Sequence, residues 1–490
     1  MENQMTITGV ERTPVSFEDD WALVIDGQAV SAMSTFDVFN PATGQVIAKA
    51  PDASVEQLDE AVAAAARAFP AWAATPIEER AAVLAAIGDR IEEHSEQFMA
   101  LLTREQGKPR AGAEWEIMGS AIWCREIAKQ RLTPEVLVDD DNRRVTTRYT
   151  PLGVIGAIAP WNFPILLAIW KIAPAILAGN TIVVKPSPFT PLTTLKLAEL
   201  VQDLLPAGVF NVVTGGDDLG KRMTSHPGIA KIAFTGSTET GRHVMASAAK
   251  SIKRVTLELG GNDPAIVLPD VDPATVAPQL FWAAFQNNAQ FCNATKRLYI
   301  HEDVYDVVRD ALVEYAKTVK VGNGAEPHTD LGPIQNAPQF EKVKEFFADC
   351  NDRGYAFALG GQIDESQPGW FIPVSFVDNP PEDSRIVQEE PFGPILPLLK
   401  WRDEEDVISR ANDTQWGLGA SVWGKDEQAL ERIAARIEAG TVWINEVHQY
   451  APNQAFGGHK QSGLGCENSL HGLAEYTNWQ TTTLNKTADV

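Results

Sequence analysis

Residues 154–185 read VIGAIAPWNFPILLAIWKIAPAILAGNTIVVK, with two short apolar runs, Val154–Ala159 and Thr181–Lys185, bracketing a longer apolar stretch that opens at Pro164. Each run is too short for a helix, and uninterrupted apolar character over five or six residues suits a strand buried on both faces. The stretch between them is long enough for a helix, and Pro164 is tolerated in a first turn, where its missing N–H is no loss. Lys171 and Pro174 interrupt it, so it falls short of the roughly 18 apolar residues a membrane-spanning helix needs. Strand, helix and strand in this order predict one parallel unit of an α/β sheet.

The alternation continues through Val209–Val213 and Ile229–Gly236, with helical stretches after about Pro191, Asp217 and Glu239. A second series starts at Asp263 (DPAIVL), takes in helices at Ala274–Phe285 and Val304–Val319, and runs past Val422 and Val442. The fold class is therefore α/β, two parallel-sheet units in tandem with a junction near Leu257–Asn262 (LELGGN). Upstream, Val55 to Trp72 and Ile77 to Gly107 carry the 3.6-residue period of amphipathic helices, and a third helix follows Pro109. Arg143 to Tyr149 (RRVTTRY) alternates charge with β-branched residues, as an exposed antiparallel strand does.

The 490 residues hold 41 Lys and Arg against 65 Asp and Glu, a net charge of −24. Such a chain repels phosphate backbones and anionic bilayers, which argues against nucleic acid or a membrane as partner. Any anionic cofactor must be held by local devices working against the global field. The amino terminus lacks a basic segment followed by an apolar run, so no leader is expected. The four cysteines are widely spaced without a CxxC pair, which suits a reducing, cytoplasmic setting.

No G-x-G-x-x-G is present. After the strand KIAFT comes Gly236-Ser-Thr-Glu-Thr-Gly241, a glycine turn into a helix start that is equally a plain cap by Ser237 or Thr238. Gly215-Gly-Asp-Asp-Leu-Gly220-Lys221-Arg222 has the outline of a P-loop, but Arg222 stands where magnesium needs a hydroxyl, and two aspartates would repel phosphate. The eight histidines lack metal-ligand spacing and G-x-S-x-G is absent, so neither a metal centre nor a serine hydrolase is expected. Cys292 lies in a polar segment (FQNNAQFCNATKR) with Lys296 and Arg297 close by, the setting of a reactive thiol. Cys124 (AIWC) reads as a buried inert one.

Taken together, these blocks resemble the aldehyde dehydrogenase superfamily nearly end to end: Asn40-Pro-Ala-Thr-Gly44, Glu105-Gln-Gly-Lys108-Pro109, Pro160-Trp-Asn-Phe-Pro164, Lys185-Pro-Ser187, Phe234-Thr-Gly-Ser-Thr-Glu239, Leu257-Glu-Leu-Gly-Gly261, Gln290-Phe-Cys292, Glu389-Glu-Pro-Phe-Gly-Pro394 and Phe456-Gly-Gly-His-Lys-Gln-Ser-Gly463. The resemblance implies a Rossmann-like cofactor domain (1–128 and 150–258), a catalytic domain (259–465), and a small β oligomerisation arm with its tail (129–149 and 466–490). It implies that Cys292 attacks an aldehyde, that the Asn162 amide and the Cys292 N–H hold the oxyanion, and that Glu258 is the base for thioester hydrolysis. Relatives that transfer the acyl group to coenzyme A typically lack a glutamate here, so a free acid is the expected product. An acyl-CoA-forming enzyme is the alternative within the family, and a catalytically silent member of the fold is the alternative outside catalysis.

By the same resemblance NAD lies along Ile158, Pro160, Trp161, Lys185, Gly216, Gly220, Gly236, Ser237, Glu390 and Phe392. Many NAD-preferring relatives carry Glu three residues after the lysine, where this chain has Pro188, so NADP is not excluded. Ala289 stands where Gly commonly precedes the Gln, a change expected to restrict the Cys292 loop. A substrate tunnel of Phe163, Leu167, Trp170, Phe291, Tyr450 and Phe456 offers aromatic faces and no arginine, which points to an aromatic or medium apolar aldehyde, with a choline-like cation second. The strand Arg143–Tyr149 and the tail Asn478–Thr483 resemble the oligomerisation arm and the segment pairing with it across subunits, implying a homodimer or homotetramer.

Overall fold

The computed structural model describes residues 15–488, so most of the segment in which no leader was expected lies outside it. Five parallel strands form the middle of the first sheet, in the order Phe210–Val212, Thr181–Lys185, Val154–Ile158, Lys231–Thr235 and Arg254–Glu258. Antiparallel strands flank them: Leu23–Ile25 beside Phe210–Val212, and Gly463–Leu464 beside Arg254–Glu258. Chain order runs outward in both directions from Val154–Ile158. Its carboxyl end and that of Lys231–Thr235 therefore border a topological switch, where a crevice opens to ligands.

The second sheet orders Phe357–Leu359, Ser375–Asp378, Ile395–Trp401, Thr295–His301, Asp263–Val267, Gly419–Trp423 and Thr441–Ile444, all parallel except the first. Glu258 ends a strand of one sheet and Asp263 begins a strand of the other, so residues 259–262 stitch the two together. The helix Pro164–Leu177 is almost wholly buried against the first sheet, Lys171 included, which explains its apolar sequence without a membrane. No helix among the described residues is long and apolar enough to cross one.

Three details differ from the sequence reading. The helix expected over 77–107 is two, Ile77–Glu93 and Ser95–Gln106, broken at His94, whose backbone leaves the helical region (φ −108°, ψ 21°) while its ring bonds back to Arg90 O at 3.1 Å. Periodicity alone cannot register a one-residue break between two helices on the same core. The cofactor sheet also extends past 258, because Gly463–Leu464 pairs with Leu257 and Glu258 and the following helix Ser469–Ala474 buries Leu473 in the same core. Finally, the tail strand Thr477–Asn485 pairs along its whole length with Arg143–Pro151 of its own chain, and Glu135–Asp139 adds a third strand. The cross-subunit pairing implied for the tail is thus replaced by an intrachain ladder, with Thr147 facing Thr481 at 3.3 Å between hydroxyls.

Candidate active site

The crevice at the switch point is walled by the loop 159–163, and this loop is fastened from below. Lys108 and Glu116, both fully buried, form an ion pair at 2.5 Å. Lys108 Nζ also donates to Asn162 O at 2.9 Å and lies 3.9 Å from the centre of the Phe163 ring. Glu116 Oε1 accepts the N–H groups of Ile165 (3.0 Å) and Leu166 (3.3 Å), supplying the cap that Phe163 cannot. Asn162 Nδ2 donates to Gln290 O at 3.0 Å, which ties the loop to the segment bearing Cys292.

That segment is built under strain. Asn287, Asn288 and Ala289 are all left-handed, with φ of 52°, 55° and 59°. Asparagine tolerates this region, whereas alanine at positive φ costs on the order of 1 kcal/mol or more. The Ala289 departure is thus accommodated by distortion. Gln290 over-determines the turn: its amide donates to Asn287 O (2.9 Å) and Pro333 O (3.2 Å) and accepts from Gln335 N (2.8 Å).

Cys292 is half-buried on this loop. Burial pushes its thiol up to about 12; Lys296 opposes this, and Asp263, Glu258 and Glu390 add to it. Glu258 is 4% exposed, and neither of its carboxylate oxygens has a hydrogen-bond partner among the described residues. Burial first, then repulsion from Glu467, raises it well above the ordinary carboxylate value, while Lys171 pulls the other way. Lys171 and Glu467 form a buried ion pair at 2.9 Å, and Lys171 also donates to Thr235 Oγ1 at 2.7 Å.

Glu390 reaches the same place from the second sheet, accepting from Gly261 N at 3.2 Å. The approach requires glycine, because a Cβ at Gly260 would collide with the Glu390 carboxylate and one at Gly261 would lie 2.8 Å from Cys292 O. Trp161 meets the ring of Phe392 edge-on at 5.3 Å. Ser237 caps the helix Thr238–Ala249, its Oγ accepting from Thr240 N at 3.2 Å, which is the plain capping role the sequence allowed. Lys185 is 4% exposed and donates no hydrogen bond among the described residues. Burial lowers it to about 8 against the pull of Asp217 and Asp52. Gly220 lies beside its side chain, and Gly216 faces open space. A buried cation lacking an acceptor, next to open space at a helix start, fits a hydroxylic or anionic ligand such as a dinucleotide.

Aromatic rings converge on the other side of Cys292. Phe163 and Phe291 lie 4.5 Å apart, Trp170 sits 5.5 Å from Phe456 and 6.3 Å from Tyr450, and Leu167 packs against the same cluster. Asn293 Nδ2 donates to the Tyr450 hydroxyl. The sequence-predicted tunnel residues therefore do assemble. Sequence reasoning missed Trp115, which meets Phe163 edge-on, Trp123, which stacks on Trp170, and His448, which stacks on Phe291 at 4.4 Å. It also missed Glu116 and the Lys171–Glu467 pair, although a lysine inside an otherwise apolar helix was a readable signal for a buried partner.

The model of the aldehyde dehydrogenase family matches residues 29–482. Phenylacetaldehyde dehydrogenase of Pseudomonas fluorescens is 40% identical over 471 residues, covering 93% of this chain and 94% of that one. The NADP(+) succinate-semialdehyde dehydrogenase GabD of Escherichia coli is 38% identical over 465 residues, covering 93% and 94%. Among solved structures, an aldehyde dehydrogenase from Bacillus cereus in an NAD+ complex superposes with a TM-score of 0.93 at 36% identity, covering 96% of this chain and 97% of the other. With its two sheets, its Cys292 crevice and this end-to-end match, the chain belongs to the aldehyde dehydrogenase family.

Proposed function

We propose that this chain oxidises an aldehyde to the free carboxylic acid, with NAD as hydride acceptor and a covalent intermediate on Cys292. The observation that carries the proposal is Glu258, a buried carboxylate with no protein partner, facing the same crevice as Cys292 and the Asn162 amide. Leaving such a group unpaired costs stability, and its retention is accounted for if water or substrate is its partner during turnover.

Cys292 Sγ, as thiolate, adds to the carbonyl carbon, and the carbonyl π electrons move to oxygen. One Asn162 N–H is held by Gln290 O, leaving the other to meet the oxyanion together with the Cys292 backbone N–H. A nicotinamide bound in this crevice would supply the hydride acceptor for collapse of the thiohemiacetal to a thioester. Glu258 then removes a proton from the water that attacks the thioester carbon, and the thiolate leaves. Lys185, Gly216, Gly220, Gly236, Ser237 and Trp161 would hold the adenosine and pyrophosphate portions, with Ile158, Pro160, Glu390 and Phe392 around the nicotinamide half. Asp52 and Asp217 flank Lys185 and disfavour a further phosphate, which supports NAD over NADP despite Pro188.

The aromatic wall supports an aromatic or medium apolar aldehyde, a reading in keeping with the phenylacetaldehyde dehydrogenase among its relatives. Val136, Leu137, Trp479 and Leu484 are exposed on the arm sheet, which supports a homo-oligomer built on that sheet. Four free cysteines support a reducing, cytoplasmic location. The test is to follow acid and NADH formation from arylacetaldehydes, with and without coenzyme A, in wild type and Cys292→Ala. Equal traces for the two proteins, or an acyl-CoA product, would overturn the reading.

A further inference from the structure

Lys296 stands at the start of the strand Thr295–His301 and is 3% exposed, although lysine is among the residues least often buried. Its side chain curls back beneath the Cys292 loop. Nζ lies 2.6 Å from Cys292 O, 3.0 Å from Phe291 O and 3.2 Å from Glu390 Oε1. Two of these oxygens are backbone carbonyls of the nucleophile segment, so the cation is fastened to the very peptide units that carry Cys292. Nothing in the mechanism above uses it.

The surrounding charges give it a task. Glu258, Asp263 and Glu390 all disfavour ionisation of Cys292, and Lys296 is the charge that opposes them. The other groups facing this region do not replace it. His448, stacked on Phe291, is pushed down to about 4 by burial and stays neutral. The Tyr450 phenol is driven toward its protonated form. Arg297 turns away, spending its guanidinium on Asn262 O and Ala411 O, each at 2.8 Å. Asp263 is pushed up to about 8 by burial, with Lys296 its main opposing charge, so it carries only part of a negative charge at neutral pH. Carbonyl oxygens anchor an ammonium without neutralising it; Glu390 does both.

We propose that Lys296 is a positioning residue that supplies the counter-charge of the Cys292 thiolate, and that Glu390 competes with the thiolate for it. This rests on the reading of Cys292 as nucleophile. When a ligand hydroxyl draws the Glu390 carboxylate away, as the ribose of a dinucleotide would, the ammonium is left to the sulfur. The nucleophile is then strongest when the hydride acceptor is in place.

Alkylation of Cys292 by iodoacetamide tests this on the unloaded protein. The Sγ–C bond forms, iodide leaves, and the thiol proton passes to buffer, so the rate reports the thiolate fraction. It is followed by mass spectrometry of the Cys292 peptide across the neutral to alkaline range. Lys296→Gln keeps a hydrogen-bond donor and removes the charge; its inflection is expected about one pH unit or more above wild type, a roughly tenfold slower reaction at fixed pH. Glu390→Gln is expected to react several-fold faster than wild type without cofactor, and NAD is expected to accelerate wild type but not Glu390→Gln. If Lys296→Gln does not fold, Lys296→Gln/Asp263→Asn removes both buried charges and is still expected to titrate above Asp263→Asn alone. An unchanged inflection in the lysine variants, or an unchanged or slower rate in Glu390→Gln, overturns the proposal. Full turnover by Cys292→Ala would instead overturn the nucleophile reading beneath it.

Discussion

The Lys108 ammonium lies 2.9 Å from the backbone oxygen of Asn162, while its ion-pair partner Glu116 holds the N–H groups of Ile165 and Leu166. A single buried pair thus fastens both sides of the residue whose amide donates to Gln290 O, two residues before Cys292. Removing an oxyanion donor typically costs about 10²–10³ in rate, and that loss is expected for Asn162→Ala. Lys108→Met leaves the amide in place but unclamped and is expected to slow acylation by about 10-fold to 100-fold, with NAD affinity unchanged. Single-turnover NADH formation and fluorescence titration of NAD separate the two. Acylation at the wild-type rate in Lys108→Met would show that the clamp is only structural.

Glu258→Gln divides the reaction in two. Acylation needs the thiolate and the oxyanion donors, so a stoichiometric burst of NADH should survive. With Glu258 as the proposed base for thioester hydrolysis, steady-state turnover should fall by about 10²–10⁴. The same substitution bears on stability. Folded Glu258 keeps its proton well above the ordinary value of 4.5, so the unfolded chain, which loses it first, is favoured progressively as pH rises from that value toward the folded one. Glu258→Gln is therefore expected to raise Tm at neutral pH, with the gain fading toward pH 4.5. A Tm below wild type at neutral pH would contradict the burial argument.

The parts of this fold that were readable share one property: they are local. Short β-branched runs alternating with amphipathic stretches predicted both sheets, and residues 257–262 marked the junction because a strand pattern ends there and another begins. The apolar rings of the tunnel were reachable only through the family blocks, since Phe163, Phe291 and Tyr450 are far apart in sequence and nothing in their spacing brings them together. Lys108 with Glu116 spans a helix start, and Lys171 with Glu467 is separated by 296 residues, so each half read alone is only a charge in an odd place. The intrachain pairing of the tail with Arg143–Pro151 was invisible for the same reason: a strand pattern says that a partner exists, not whose it is.

With Glu258 as the proposed base, the Lys171–Glu467 pair is expected to set the pH at which hydrolysis switches on. Hydrolysis requires ionised Glu258, so its rate rises through the Glu258 pKa, which lies above the usual carboxylate range because of burial and then Glu467. Glu467→Gln removes that repulsion and leaves Lys171 in place, so the rising limb should move to lower pH. Lys171→Met does the reverse and moves it higher. Breaking a buried pair by removing one partner typically costs about 3–5 kcal/mol, so Lys171→Met should also melt several degrees below wild type. The pH profile of the steady-state rate, taken where deacylation limits, checks the signs; limbs moving in the same direction for both variants would refute the coupling.

Cofactor choice should respond to Asp52. Lys185 has two carboxylates near it, Asp52 and Asp217, and loses its charge near pH 8. Asp52→Asn is expected to tighten NADP binding about tenfold or less while leaving NAD nearly unchanged, since removal of one partly exposed charge is worth roughly 1 kcal/mol or so. Wild-type affinity for either dinucleotide should weaken as pH rises past 8. Isothermal titration with NAD, NADP and 2′-phosphorylated fragments measures both effects, and a wild-type protein that already prefers NADP would rule out the role given to Asp52.

The substrate wall leads to the most discriminating prediction. Phe163, Phe291, Trp170, Tyr450 and Phe456 meet ring to ring at 4.5–6.3 Å; Asn293 and the Tyr450 hydroxyl among them are bonded to each other, and the Trp170 indole N–H, a neutral donor, is unpartnered among the described residues. A terminal carboxylate entering this space would lose its hydration without a guanidinium fork in return, whereas an aryl group would exchange water for ring faces. Phenylacetaldehyde should therefore exceed succinic semialdehyde in kcat/KM by at least about 10²-fold, a difference of roughly 2.7 kcal/mol or more in transition-state binding. Trp170→Ala should erode the preference by raising KM for the aryl substrate more than for a short aliphatic one. Succinic semialdehyde turning over best would mean that a cation reaches the tunnel from outside this ring cluster, and the aromatic assignment would fall.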